Sequence, residues 1–328
     1  MNNRAYPFVS DDRWNAMPHS TPPIRVNATP ATITVDHAAL TAALGRLPPG
    51  APVVVMIHGY RFAPGAKGAN CPHRHIFSLD PPRDDRKAIS WPRHLGLDGR
   101  NGLAIAFGWQ ARGSLPSAVI HARLLGRRLA ELAELIARID PGRQVDVIGH
   151  SLGARVALAA LRHARPGTLR RLILLAGAET RRPARAALAT PAGQQAEVLN
   201  ITSRENDIFD FLFERLSCLG FDTAIGQGLG RNLPNWLDLQ IDHPRTLAVL
   251  GSLGHTLPAP LARICHWSGY LRPGALPLCR AFIDSRIALA SLRPSLPERM
   301  QRRWSRLFWP AQSLPFLSQT QDRHPVPA

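Results

Sequence analysis

Apolar residues recur along this chain in two rhythms. Continuous apolar, often β-branched runs mark strands buried on both faces: Val53-Val-Val-Met-Ile57, Leu103-Ala-Ile-Ala-Phe107, Val145-Asp-Val-Ile148 and Leu172-Ile-Leu-Leu-Ala176. Glu197-Val-Leu-Asn-Ile-Thr202 continues the series, and Ala31-Thr-Ile-Thr-Val-Asp36 is a candidate first strand. Between these runs the period changes, and Leu and Ala repeat at helical spacing over residues 121–139. Strands alternating with helices predict an α/β fold, with a mostly parallel central sheet and helices on both faces. Ligands in such sheets bind beyond the carboxyl ends of the strands, so residues just after each apolar run are the ones to watch.

The same pattern divides the chain. Residues 1–30 are polar and Pro-rich and read as an N-terminal arm. Residues 31–291 carry the alternation and form the main domain. Residues 292–328 read as a basic, Pro-rich C-terminal tail. Inside the domain, residues 61–101 make a long connection rich in Pro, Gly, His and Arg, and connections of that length are more often functional than passive. Residues 207–250 mix Phe209, Phe211 and Phe213 with Gly226-Gln-Gly-Leu-Gly230, and are expected to form a cap or lid that makes the pocket apolar.

Composition changes this picture in a few places. With 328 residues the chain can bury a large core. No apolar run reaches the 18 or so residues of a membrane span, and the arm has no apolar segment of the secretory kind. Cys71, Cys218, Cys265 and Cys279 show neither paired nor metal-type spacing, which fits a reducing cytoplasm. Cys71-Pro-His-Arg-His75 matches no strong zinc pattern, so neither metal nor cofactor is expected. The net charge is +17, and Lys67 and Lys87 are the only lysines. A positive field of that size attracts anionic lipid, nucleic acid or acidic substrates. No helix-turn-helix, zinc-finger or RNP-type pattern is present, so specific nucleic-acid binding is not expected.

The strongest chemical signal is Gly149-His-Ser-Leu-Gly153, set between the apolar run ending at Ile148 and the Ala/Leu-rich stretch that follows. A serine on a sharp strand-to-helix turn needs small neighbours two residues to either side, and the turn pushes its hydroxyl above the sheet beside a helix N-terminus. Further along come His58-Gly59-Tyr60 after one strand, Thr202-Ser-Arg-Glu-Asn-Asp207 after another, and Cys265-His-Trp-Ser-Gly-Tyr270. With these motifs the chain resembles the α/β-hydrolase superfamily over roughly residues 50–285, more closely a bacterial lipase/esterase-like branch of it.

The resemblance implies a serine hydrolase acting on a small-molecule ester, with nucleophile, acid and histidine in that chain order. Ser151 is the expected nucleophile, Asp207 the favoured acid and His266 the favoured histidine. His243 and His255 remain alternatives to His266, and Glu179, Asp210 and Asp238 to Asp207. The serine needs a neutral imidazole to take its proton, and the imidazole needs an acceptor to fix its tautomer. The backbone N–H groups of Tyr60 and Leu152 are the implied oxyanion donors. His58, Gly59, His150 and Trp109 are expected to line the substrate site.

The tail adds one more expectation. Met300, Trp304, Leu307 and Phe308 share a helical face between arginines. Burying each aromatic or leucine stabilises by about 1.5–3 kcal/mol, so the segment is expected to dock on the protein's own body. An anionic membrane surface is the alternative.

Overall fold

The computed structural model describes residues 21–308. Its described residues form an eight-stranded sheet in the order β2-β1-β4-β3-β5-β6-β7-β8. The strands are β1 (Ile24–Ala28), β2 (Ile33–Val35), β3 (Val53–Ile57), β4 (Leu103–Trp109), β5 (Val145–His150), β6 (Leu169–Leu175), β7 (Glu197–Thr202) and β8 (Trp236–Gln240). Only the β1–β2 pair is antiparallel; every other neighbour runs parallel. The helices are α1 (His37–Gly45), α2 (Trp91–His94), α3 (Leu115–Ile139), α4 (Leu152–Ala160), α5 (Arg181–Leu188) and α6 (Pro191–Gln195). They continue with α7 (Asp207–Cys218), α8 (Pro244–Ser252), α9 (Ser268–Leu271), α10 (Ala275–Ile283) and α11 (Leu289–Leu292).

Strand alternation splits the interior into two apolar layers. Val53, Val55 and Ile57 of β3 face one layer, with α3 and α4. Val54 and Met56 of the same strand face the other, with α10. The helix α3 starts at Ser114, whose Oγ accepts from Ser117 N at 3.3 Å, and Pro116 sits in its first turn, where no N–H is needed. It packs closely on α4: a Cβ at Gly126 would stand 2.6 Å from the Ala159 carbonyl carbon. No helix among the described residues is long and apolar enough to cross a membrane.

Two expectations about organisation change. The supposed arm contributes a strand: Ile24–Ala28 pairs with β4 along its length, because alternating Ile24, Val26 and Ala28 turn inward on one face. Residues 207–250 are not one cap, since β8 lies within them as the sheet's edge strand beside β7 and Phe213 is buried in the core. The long connection 61–101 forms a cover, with Ile76, Phe77, Trp91 and Leu95 buried in the α10 layer.

The C-terminal segment docks as far as it is described. Arg303 makes two bonds to the Glu214 carboxylate on α7, at 2.8 and 2.5 Å. Gln301 and Gln240 exchange hydrogen bonds at 2.8 and 2.9 Å. Trp304 N donates to Asp207 Oδ2 at 2.7 Å, and its ring meets Phe211 edge-on at 5.7 Å. The four apolar residues do not share one buried face, because the chain turns at Trp304 (φ 69°) and leaves Phe308 exposed. Residues 309–328, the remainder of the tail, lie outside the described residues.

Candidate active site

The β5–α4 turn bears the first component. Ser151 adopts φ 54°, ψ −119°, an unusual conformation for a residue with a Cβ, and one that surrounding structure must enforce. That structure is the packing of three glycines. A Cβ at Gly149 would lie 2.6 Å from the Gly153 carbonyl, and one at Gly153 would strike the Ile57 carbonyl. A Cβ at Gly59 would lie 2.8 Å from Cβ of Ser151. Each glycine therefore lets backbone approach where a side chain cannot fit. The turn is tied to the sheet by Ser151 N donating to the Leu175 carbonyl and Ala178 N donating to the Ser151 carbonyl, both at 3.0 Å.

The second component is the loop before α9. His150 Nε2 donates to the His266 carbonyl at 3.0 Å, which joins that loop to the serine turn. Cys265 N donates to the Glu205 carbonyl at 2.9 Å, and Arg272 pairs with the Glu205 carboxylate in full burial. The His266 ring is therefore held between the β5 turn and the β7 turn. It lies 4.7 Å from the His150 ring and stacks on Phe209 at 4.6 Å. Desolvation, with the His150 ring beside it, holds His266 well below its ordinary range and hence neutral.

The third component corrects the sequence expectation. The partner of His266 Nδ1 is Asn206 Oδ1 at 2.7 Å, not a carboxylate of Asp207. Asp207 points elsewhere: its oxygens accept from Gln227 Nε2 at 2.9 Å and Trp304 N at 2.7 Å, and Arg204 Nη1 stands 3.1 Å away. The cause is helical phase. Successive side chains at the start of α7 point about 100° apart, so neighbours in sequence cannot both face His266. Glu179 is committed to Arg155 at 2.7 Å and to its own Thr180 N–H. Asp238 is committed to Asn200, Trp236 and Leu229. Asp210 is the fourth acid, and it accepts from Asn206 Nδ2 at 2.8 Å.

His243 caps α8, and neither it nor His255 takes this place. No hydrogen bond joins Ser151 Oγ to His266 among the described residues, so that expected contact is not made in the resting structure. Catalytic contacts often tighten only with substrate bound.

Tyr60 and Leu152, the expected oxyanion donors, follow Gly59 and Ser151 in the two turns that meet at the Gly59–Ser151 contact. Leu152 N opens α4, where helix N–H groups lack intrahelical partners. Tyr60 follows Gly59, and its phenol donates to the Gly113 carbonyl, pinning the loop. Neither N–H is bonded to another group among the described residues.

Two expected substrate contacts become structural ones. His58 is fully buried, with Nδ1 donating to the Gly59 carbonyl at 2.8 Å and Nε2 accepting from Trp109 N at 3.0 Å. Burial lowers its pKa to about 3, so it stays neutral in this bonded tautomer. Trp109 is also fully buried, stacks on His58 at 5.5 Å, and donates from Nε1 to the His58 carbonyl. Neither reaches a pocket mouth; together they hold the His58–Gly59 turn against Ser151. His150 likewise serves as a brace, its pKa lowered to about 4 by burial and its ring edge-on to Tyr270. In the 61–101 cover, His73 Nε2 bonds Asn27 Oδ1 and His75 Nε2 bonds Asp85 Oδ2, each an internal tie.

Asn206 was missed from the sequence. Its only signal was its place in the turn after β7, where Glu205, Asn206 and Asp207 offer three acceptors in a row. A separate cleft lined by Leu44, Pro52, Ile139 and Arg143 lies at the amino ends of β3 and β5, away from this chemistry. Comparison with family models and with curated proteins finds no match for the chain.

Proposed function

We propose that the chain is a serine hydrolase that cleaves a carboxylic ester through an acyl-enzyme, in the manner of the α/β-hydrolases it resembles. The observation that carries the reading is Ser151 held at φ 54° on a strand-to-helix turn, beside the loop bearing a neutral histidine. Ser151 Oγ attacks the ester carbonyl carbon while His266 Nε2 takes the hydroxyl proton. The carbonyl π pair moves to oxygen, which the N–H groups of Tyr60 and Leu152 stabilise, each by about 3 kcal/mol. The intermediate collapses, the C–O bond to the alcohol breaks, and His266 returns the proton to the leaving oxygen. Water repeats the sequence on the acyl-enzyme and regenerates Ser151.

Asn206 takes the place usually filled by a carboxylate. Its Oδ1 accepts from Nδ1 and fixes the tautomer, which leaves Nε2 as the base. Phe209 and Trp267 beside His266 supply an apolar wall that suits an apolar acyl group. In this reading α7, which bears Phe209, is the part of the expected lid that stands over the site.

The second reading is a non-catalytic protein that keeps the serine turn for binding, and the missing Ser151–His266 bond favours it. Reaction with a fluorophosphonate probe separates the two. Wild type should label and Ser151→Ala should not, with p-nitrophenyl ester hydrolysis falling by at least a thousandfold and the melting temperature retained. Ser151→Ala activity within tenfold of wild type overturns the proposal.

A further inference from the structure

Asn206 is neutral, yet a histidine that becomes charged in the transition state gains from a negative neighbour. The structure holds one a single side chain further on. Asn206 Nδ2 donates to Asp210 Oδ1 at 2.8 Å, while Asn206 Oδ1 faces His266. Asp210 lies on α7 one turn after Asn206 and is 2 % exposed. Its other oxygen, Oδ2, has no hydrogen-bond partner among the described residues and rests against Gly226, where any Cβ would collide with it. A buried carboxylate with one oxygen bonded to a site residue and the other unpartnered is costly to keep, and calls for a reason beyond packing.

We infer that Asp210 is a positioning residue which, acting through Asn206, sets the amide orientation and supplies the negative charge that the imidazolium of His266 needs. The inference rests on the hydrolase reading above. The logic is one of donors and acceptors. Once ionised, Asp210 can only accept from Asn206, so Asn206 must turn its Nδ2 toward α7 and its oxygen toward His266. Nδ1 of His266 must then carry the proton, and Nε2 is left as the base. A chain of hydrogen bonds also transmits polarisation, so ionising Asp210 strengthens the Asn206 acceptor.

The ionisation is tunable. Burial pushes Asp210 up to about 7. Arg204 from the β7–α7 turn and Arg303 from the C-terminal segment pull it down, and Asp207 and Glu214 of α7 push it up. Because His266 itself titrates far lower, activity rising through about pH 7 would report Asp210 and not the histidine.

The test compares wild type with Asp210→Asn, Asn206→Asp and the double variant, in p-nitrophenyl ester hydrolysis from about pH 5.5 to 9. Asp210→Asn should lower kcat by roughly 10–100-fold with KM within about twofold, and abolish the rise near neutrality. Asn206→Asp should also lose activity, because two carboxylates would meet where one amide now bridges. The double variant puts the carboxylate on His266 and the amide behind it, and should recover to within about fivefold of wild type. Nitrogen NMR of the His266 ring at about pH 8 in the resting protein needs no substrate: Nδ1 should carry the proton in wild type, and Asp210→Asn, which no longer fixes the Asn206 amide, should populate the Nε2–H tautomer. If Asp210→Asn does not fold, Gly226→Ala displaces the same carboxylate without removing it and should reproduce the kinetic loss. Wild-type kcat and pH profile in Asp210→Asn, or an unchanged His266 tautomer, overturn the inference. Absence of any labelling of wild-type Ser151 defeats the hydrolase reading instead, and the tautomer still decides whether Asp210 controls His266.

Discussion

Asn206 and Asp207 differ by one atom group and one position, and only one of them meets His266. That distinction has a direct test. Asn206→Ala removes the acceptor of Nδ1, frees the imidazole to adopt the wrong tautomer, and should lower kcat by on the order of a hundredfold or more. Asp207→Asn should leave kcat within about fivefold but lower stability by about 1–3 kcal/mol. It weakens the acceptance from Trp304 N and Gln227 and leaves buried Arg204 short of a countercharge. Steady-state kinetics and thermal melts on the two variants check this pair, and the reverse result would return the acid role to Asp207. The turn after β7 was legible as a candidate place for the partner of His266, because it follows a strand. Which of its side chains points at the histidine was not, since the kink from the short 3₁₀ turn at Arg204–Asn206 into α7 sets the directions.

The C-terminal segment and α7 stabilise one another. Glu214 is 5 % exposed and accepts from Arg303 twice and from Ala224 N, so it links the helix, the loop after it and the tail. Arg303→Ala strands that carboxylate and should cost about 2–4 kcal/mol, read as a lower urea midpoint at unchanged slope. Removing residues 297–328 should cost more and should also weaken ester hydrolysis, because Trp304 N and Arg303 lie beside Asp207 and Asp210. A truncated protein with wild-type melting that no longer binds anionic vesicles would instead favour a membrane role for the tail. The apolar pattern in the sequence established that Trp304 needs cover; the partner it found depended on a carboxylate 97 residues earlier.

Stability of the whole molecule should depend on pH through its buried imidazoles. Burial lowers His58 to about 3, and His73 and His150 to about 4, from the ordinary 6.5. Each stays neutral in the fold while the unfolded chain takes up a proton below 6.5. The stability they contribute is therefore complete above pH 6.5 and is lost as pH falls toward 4, by roughly 3 kcal/mol each. Asp210 acts in the opposite sense: its raised pKa costs stability as pH rises from 3.8 to about 7. Burial raises Asp146, Glu179, Asp207 and Asp238 as it does Asp210, and lowers His75 and His266 with the other imidazoles; the imidazoles set the direction, and the melting temperature should climb between about pH 4 and 6.5. A flat melting profile over that interval would show that these histidines reach solvent.

The sequence by itself determined the repeating strands and helices, because burial on both faces of a parallel sheet leaves short, continuous, β-branched apolar runs between stretches of helical spacing. It determined the serine turn for a related reason: Gly149 and Gly153 are required by contacts within a few residues of one another and with the neighbouring strand. Short strands were harder to read. Ile24–Ala28 is a five-residue strand that alternates, and Trp236–Gln240 sits in a stretch of aromatics and glycines, so both gained their identity only by pairing with β4 and β7. The tertiary structure alone decided that His58 and Trp109 brace each other, that Asn206 and not Asp207 meets His266, and that Asp210 stands behind it. These are matters of direction between elements distant in sequence, and a side chain's direction is fixed by packing that no local pattern records.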